Sequence, residues 1–294
     1  MEQQQLVETS DGRVLETRVF GAPSGPTVFF HHGTPGSYLT GELFDDAATR
    51  AGLSVVTMSR AGYGLSTRHA GRSVSSVVRD VGAVLDALGR DSYVAAGWSG
   101  GGPHSLACGA LDAPRCRAAW SLAGVAPIDA DFDWTAGMGP ENLEEFALAR
   151  EGGPHYEQHM ASLAAEFGAA TADNIVQLFG GLLSDPDKAV LADEPARAAM
   201  AKDECHAFAG GWRGFYDDDQ AFMSSWGFDV ATITVPVHVW FADQDLMAPP
   251  SHGEWLGATI PHARVRREAG EGHLSLVHQN LDELCAAWRD AAQG

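Results

Sequence analysis

Gly97-Trp98-Ser99-Gly100-Gly101 is the segment of this chain whose residue types and spacing best fit chemistry. It follows Tyr93-Val94-Ala95-Ala96, an apolar run that predicts a strand, and it precedes a stretch from Gly102 that predicts a helix. A serine on so sharp a strand-to-helix turn presents its Oγ, because the flanking glycines let the backbone turn without a Cβ clash. The helix would aim its first N–H groups at the same spot, where negative charge develops in acyl transfer. The chemistry indicated is attack by Ser99 on a carbonyl. A Gly/Ser-rich loop without chemistry is the competing reading, so the flanks must decide.

Two upstream segments agree with the first. Pro26-Thr27-Val28-Phe29-Phe30-His31 predicts a buried strand ending in His32-Gly33-Thr34-Pro35-Gly36, where a second donor to a developing oxyanion would be needed. Ser54-Val55-Val56-Thr57-Met58-Ser59 predicts another, emptying into Arg60-Ala61-Gly62-Tyr63-Gly64-Leu65-Ser66. His-Gly-x-Pro-Gly, then Arg-x-Gly-x-Gly-x-Ser, then Gly-x-Ser-x-Gly, in that order, resembles the α/β-hydrolase family. Ser59 departs from the Asp that many relatives carry there, a position that serves the turn rather than the chemistry.

The resemblance implies a triad in the chain order Ser, acid, His. Val235–Phe241 predicts a late strand, followed by Ala242-Asp243-Gln244-Asp245-Leu246-Met247-Ala248-Pro249. This is similar to the family's Gly-x-x-Asp-x-x-x-Pro acid loop, with Ala242 in place of Gly, and it favours Asp245. Asp243 and, in the loop after a strand at Ala118–Ser121, Asp129 stay open. Ala263–Arg266 predicts the last strand, and Glu271-Gly272-His273-Leu274-Ser275 resembles the Gly-His site before the final helix. Among 12 histidines, His273 is therefore the expected base, taking the Ser99 proton while Asp245 holds its imidazole. His31, His32, His104 and His278 are expected to be structural or pocket-lining, with His32 bonded within its own turn. Backbone N–H groups of Thr34 and Gly100 are the implied oxyanion donors. An ordinary histidine titrates near 6.5, which sets the acidic limb of turnover near or somewhat below neutrality.

The elements that position these residues follow from periodicity. Up to about Gly124, strand signals alternate with helical ones at Tyr38–Ala51, Val74–Leu88 and Pro103–Ala110, which predicts a mostly parallel sheet flanked by helices. From Val125 the strand signal disappears. Helix-like stretches at Glu141–Arg150, Pro154–Phe167, Asn174–Leu183 and Pro195–Phe208 are broken by Gly-Gly pairs, and strands resume at Val235. The expected organisation is a core of residues 1–124 and 230–294 with an all-helical insertion at 125–229, resembling the family's cap. The insertion is rich in large apolar groups, among them Phe146, Phe179, Phe215 and Phe222. Most are assigned to packing and a few to an apolar pocket. Asp217-Asp218-Asp219 is read as a solvated turn or helix N-terminus rather than a metal site, because neighbouring carboxylates point different ways.

Composition bounds the function. With 19 basic and 39 acidic residues the formal charge is −20, which argues against nucleic acid or an anionic membrane as partner. No apolar run approaches ~18 residues and the first residues lack a signal-peptide pattern, so a cytoplasmic location is expected. Cys108, Cys116, Cys205 and Cys285 show no C-x-x-C spacing and are expected as reduced thiols. No dinucleotide fingerprint or P-loop lysine appears, so no cofactor and no metal are expected. The whole predicts a Ser-His-Asp hydrolase for a carboxylic ester or lactone of small to medium apolar substrates. C–C hydrolase, amidase or aminopeptidase, perhydrolase and tailoring cyclase remain alternatives, as does a small-molecule receptor. A small molecule is the expected partner, and the sequence does not distinguish monomer from homodimer.

Overall fold

The computed structural model describes residues 4–293. Its strands are β1 (Gln5–Glu8), β2 (Val14–Gly21), β3 (Thr27–His31), β4 (Ser54–Met58), β5 (Tyr93–Trp98), β6 (Cys116–Leu122), β7 (Val237–Ala242) and β8 (Arg264–Glu268). They form one eight-stranded sheet in the order β1-β2-β4-β3-β5-β6-β7-β8. The β1–β2 and β2–β4 pairs are antiparallel, and every pair from β4–β3 to β7–β8 is parallel. The expected mostly parallel sheet is therefore present.

Alternation explains why the central strands read as continuous apolar runs. Val28 and Phe30 of β3, with Val94 and Ala96 of β5, face one apolar layer that includes Phe44, Leu284 and Trp288. Phe29 and Ala95 face the other, with Val77, Val81, Val84 and Leu106. Both faces are covered by helices, so both sets of side chains leave water, the condition for a parallel sheet. The helix Val77–Ala87 buries Val77, Val81, Val84 and Leu85, a spacing of three to four that puts them on one face.

Between β6 and β7 the described residues form no strand. Helices run Pro140–Glu151, Gly153–Phe167, Ile175–Phe179, Asp185–Val190, Glu194–Ala207 and Arg213–Phe222. The expected helix at Asn174–Leu183 is shorter, because Gly180 turns out of the α-region at φ +52° and the chain continues as a 3₁₀ turn at Gly180–Leu182. Since β6 and β7 are parallel neighbours, this segment must cross back to the amino end of β7 after leaving β6 at the carboxyl ends of the strands. Those ends are where ligands bind in open α/β sheets. No helix among the described residues is long and apolar enough to cross a membrane.

Candidate active site

Five loops at the carboxyl ends of the strands converge. Thr34 follows β3, Arg60 follows β4, Ser99 follows β5, Asp245 follows β7 and His273 follows β8. Ser99 has φ +56°, a left-handed conformation uncommon for a residue with a side chain and costing about 1–3 kcal/mol. It heads the helix Gly101–Leu111, and its N–H is held by Leu122 O at 2.8 Å. The flanking glycines are required by close approach. A Cβ on Gly97 would overlap the Gly101 carbonyl, and one on Gly101 would overlap the His31 carbonyl.

His273 Nδ1 lies 2.7 Å from Asp245 Oδ2, with both side chains buried. Asp245 Oδ1 accepts from the N–H groups of Met247 and Ala248, which fixes the carboxylate. With Nδ1 committed to Asp245, Nε2 is the nitrogen that can take a proton from the cavity. Trp98 stacks on the imidazole at 5.8 Å between ring centroids and donates Nε1–H to His273 O at 3.1 Å. Burial alone would lower the His273 pKa, but Asp245 and then Asp187 outweigh it and raise it above 6.5. Asp243 is placed elsewhere, its Oδ1 accepting from Gly270 N–H, and Asp129 is solvent-exposed.

Ser99, Thr34 and His273 line one cavity of about 200 Å³, whose far wall carries Leu39, Met200 and Glu204. Ser99, Thr34 and Gly100 line an adjoining lobe of about 180 Å³, walled by Phe146, Phe215, Phe222 and Glu145. Thr34 and Gly100 are neighbours, since a Cβ on Gly100 would overlap Thr34 Oγ1. Among the described residues, neither backbone N–H donates to a backbone acceptor. Of the insertion's aromatics, Phe146, Phe167, Phe179, Phe215 and Phe222 reach a lobe, whereas Trp134, Tyr156, Trp212 and Trp226 do not.

Of the histidines expected to be structural or pocket-lining, His31, His32 and His104 are buried. His32 Nδ1 bonds Gly33 O at 2.7 Å and Nε2 accepts from Arg60 N–H, so the ring is neutral with its proton on Nδ1. His31 is fully buried beside Cys108, and burial pushes His104 down to about 4. His278 lines the cavity. Ser59 Oγ bonds Glu16 Oε2 at 2.8 Å and accepts from Tyr38 N–H.

Residues 26–278 match the family described as alpha/beta hydrolase fold. The chain belongs to the α/β-hydrolase family. Among solved structures, an alpha/beta hydrolase fold protein from Nakamurella multipartita is 24% identical, with a TM-score of 0.69 over 99% of this chain and 100% of that one. The enol-lactonase from Burkholderia xenovorans LB400 is 19% identical, with a TM-score of 0.67 over 99% and 100%. The bifunctional esterase/perhydrolase DCH of Acinetobacter calcoaceticus is 34% identical over 100 residues, 33% of this chain. The chain thus spans about a third, 35%, of the length of that curated relative.

In this α/β-hydrolase the solvated reading of Asp217-Asp218-Asp219 is overturned, because all three are buried. They point different ways and each finds a partner. Asp217 pairs with Arg68, Asp219 accepts from Tyr156 OH at 2.6 Å, and Asp218 accepts from Arg60, Arg72, Tyr63 and Thr34. Burial would raise the Asp218 pKa, but Arg60 and Arg72 hold it well below the usual carboxylate range. A signal was present, since Gly214, Phe215, Asp218, Ala221 and Phe222 share one face of a helix by spacing. Sequence reasoning also missed three carboxyls that line the lobes. Burial pushes Asp203 up to about 6 and Glu145 up to about 8, and raises Glu204 well above its ordinary value. Nothing in their local sequence marks them.

Proposed function

We propose that this protein is a serine hydrolase that cleaves a carboxylic ester or lactone of small to medium, uncharged substrates. Ser99 Oγ attacks the carbonyl as His273 Nε2 takes its proton, and His273 returns that proton to the leaving alkoxide. Water then attacks the acyl-Ser99 ester with the same histidine as base, releasing the acid. Asp245 keeps the imidazole in the Nδ1–H tautomer and stabilises the imidazolium. Backbone N–H groups of Thr34 and Gly100 hold the oxyanion, a donor of this kind being worth about 3 kcal/mol of barrier.

The observation that carries this reading is the pairing of His273 with Asp245 at 2.7 Å on the wall of the cavity that Ser99 lines. The lobes favour uncharged chains. Their walls are largely apolar, their ionisable groups include Asp203, Glu204, Glu145 and Asp219, and among the described residues no Lys or Arg lines either lobe. The helical insertion supplies most of the second lobe's wall and part of the first, and so acts as a cap. The names of two similar proteins, an enol-lactonase and an esterase/perhydrolase, support ester and lactone chemistry. A panel of p-nitrophenyl esters and lactones, turned over by wild type and Ser99→Ala, tests it. Ser99→Ala is expected to lose nearly all turnover with its fold intact, and retained turnover on the best substrate would overturn the proposal.

A further inference from the structure

Asp187 belongs to the insertion, in the short helix Asp185–Val190, yet its carboxylate serves the loop that carries His273. Oδ1 accepts from Leu274 N–H at 2.7 Å and from Ser275 N–H at 3.1 Å. Oδ2 accepts from His273 N–H at 3.1 Å and from Ser184 Oγ at 2.7 Å. Three successive backbone amides of the histidine loop thus converge on one fully buried side chain. These N–H groups open the turn Ser275–His278 and have no partner within it, so without the carboxylate they would be buried and unpaired. Gly272 fits the same geometry. A Cβ there would overlap Ser184 Oγ and lie 2.5 Å from Asp187 Oδ2, so the residue before His273 must be glycine for the carboxylate to come this close.

We propose that Asp187 is a positioning residue for the catalytic base: through it the insertion holds the backbone at 273–275, and with it the direction of the His273 imidazole. The inference rests on the proposed role of His273. Asp245 grips the ring through Nδ1, whereas Asp187 grips the backbone amides of residues 273–275. One carboxylate alone leaves the ring free to swing about the other's contact. Two of them, on separate segments, fix both ends. The charge of Asp187 also favours the imidazolium, in the same direction as Asp245.

The other ionisable groups that face His273 make the test specific. His278, on the turn that follows, is pushed down by burial, with Asp187 acting in the opposite direction. Across the cavity stand Asp203 and Glu204, both pushed up by burial, and Glu42, which is paired with Lys202. None of these accepts from the loop amides, which donate to Asp187, and because Asp187 also acts on His278 the two imidazoles are followed as separate resonances.

The imidazole of His273 is titrated by NMR in wild type and Asp187→Asn, alongside kcat/KM against pH. The variant is expected to lower the His273 pKa by about 0.5–1 unit, move the acidic limb with it and cut kcat about tenfold or more with little change in KM. Gly272→Ala, which drives the two segments apart, is expected to move both in the same direction. A folded Asp187→Asn with an unmoved His273 titration would overturn the inference. Should that variant not fold, hydrogen exchange on the wild-type protein decides. Amides 273–275 are expected to be protected together with the helix at 185–190, and free exchange at 273–275 beside a protected helix would overturn the inference. The NMR titration needs no turnover, so an active Ser99→Ala would remove the proposed function without touching it.

Discussion

Asp218 Oδ2 lies 2.6 Å from Arg60 Nη2, and the two side chains are only 0% and 2% exposed. The pair joins the insertion to the loop after β4, and Arg60 Nη2 and Asp218 Oδ2 together hold Thr34 Oγ1 at 2.8 and 2.9 Å. Position at the proposed oxyanion donor therefore depends on an ion cluster shared between core and insertion. The insertion is thus anchored to the core at Asp218 as it is at Asp187.

Removing Asp218 leaves Arg60 and Arg72 buried without their counter-charge. Breaking such a pair from one side costs about 3–5 kcal/mol. Asp218→Ala is accordingly expected to lower the thermal midpoint by about 10 °C, measured by calorimetry or circular dichroism. A drop of only a degree or two would mean that water enters and solvates the arginines.

Asp245→Asn is expected to cut kcat by roughly 10⁴-fold, since Asn presents the wrong hydrogen-bond partner to Nδ1. Asp243→Asn should cost much less, because Asp243 holds only the Gly270 turn. Steady-state kinetics of the two variants check this, and the reverse order of damage would move the acid to Asp243.

The pH profile is expected to depart from that of an ordinary histidine. Burial lowers the His273 pKa, but Asp245 and Asp187 together raise it above 6.5. The acidic limb of kcat/KM should sit above 6.5, a correction to the near-neutral or lower limb that the sequence alone predicts. Linkage has the matching sign. Because the folded pKa lies above the unfolded one, the protonated His273 stabilises the fold below about 6.5, and that contribution is lost as pH rises through the folded value. A limb at or below 6 would contradict the double carboxylate environment.

Substitutions in the lobes should change preference rather than chemistry. Met200→Ala in one lobe and Phe215→Ala in the other are expected to shift the acyl-chain profile of kcat/KM several-fold each, with acetate ester turnover largely kept. Remote contacts supply substrate binding, whereas in the proposed mechanism Ser99, His273 and the oxyanion donors act on the carbonyl that all esters share. An unmoved profile in both variants would mean that neither lobe receives the chain.

Local patterns made the strands and the proposed triad legible before any fold was known. Gly97-Trp98-Ser99-Gly100-Gly101 announces its own turn, and Val28 to Phe30 announce a strand buried on both faces. The partners of Asp187 and Asp218 were not legible, because they lie 86 and 158 residues away in the chain. The Ser184-x-x-Asp187 pattern does mark a helix start, and Ser184 does cap it, but nothing local says that the carboxylate also reaches residues 273–275. Carboxyls such as the half-buried Glu145 and the buried Glu204 read as surface residues, since a Glu in a helix is solvated unless tertiary packing decides otherwise.

Stoichiometric labelling with a fluorophosphonate, followed by mass mapping of the adduct, tests the nucleophile at the level of a single bond. One phosphonyl group is expected on Ser99 of the wild-type protein, formed more slowly in His273→Ala and absent in Ser99→Ala. An unlabelled wild-type protein that still turns over esters, or an adduct on another residue with Ser99 free, would contradict the proposed catalysis.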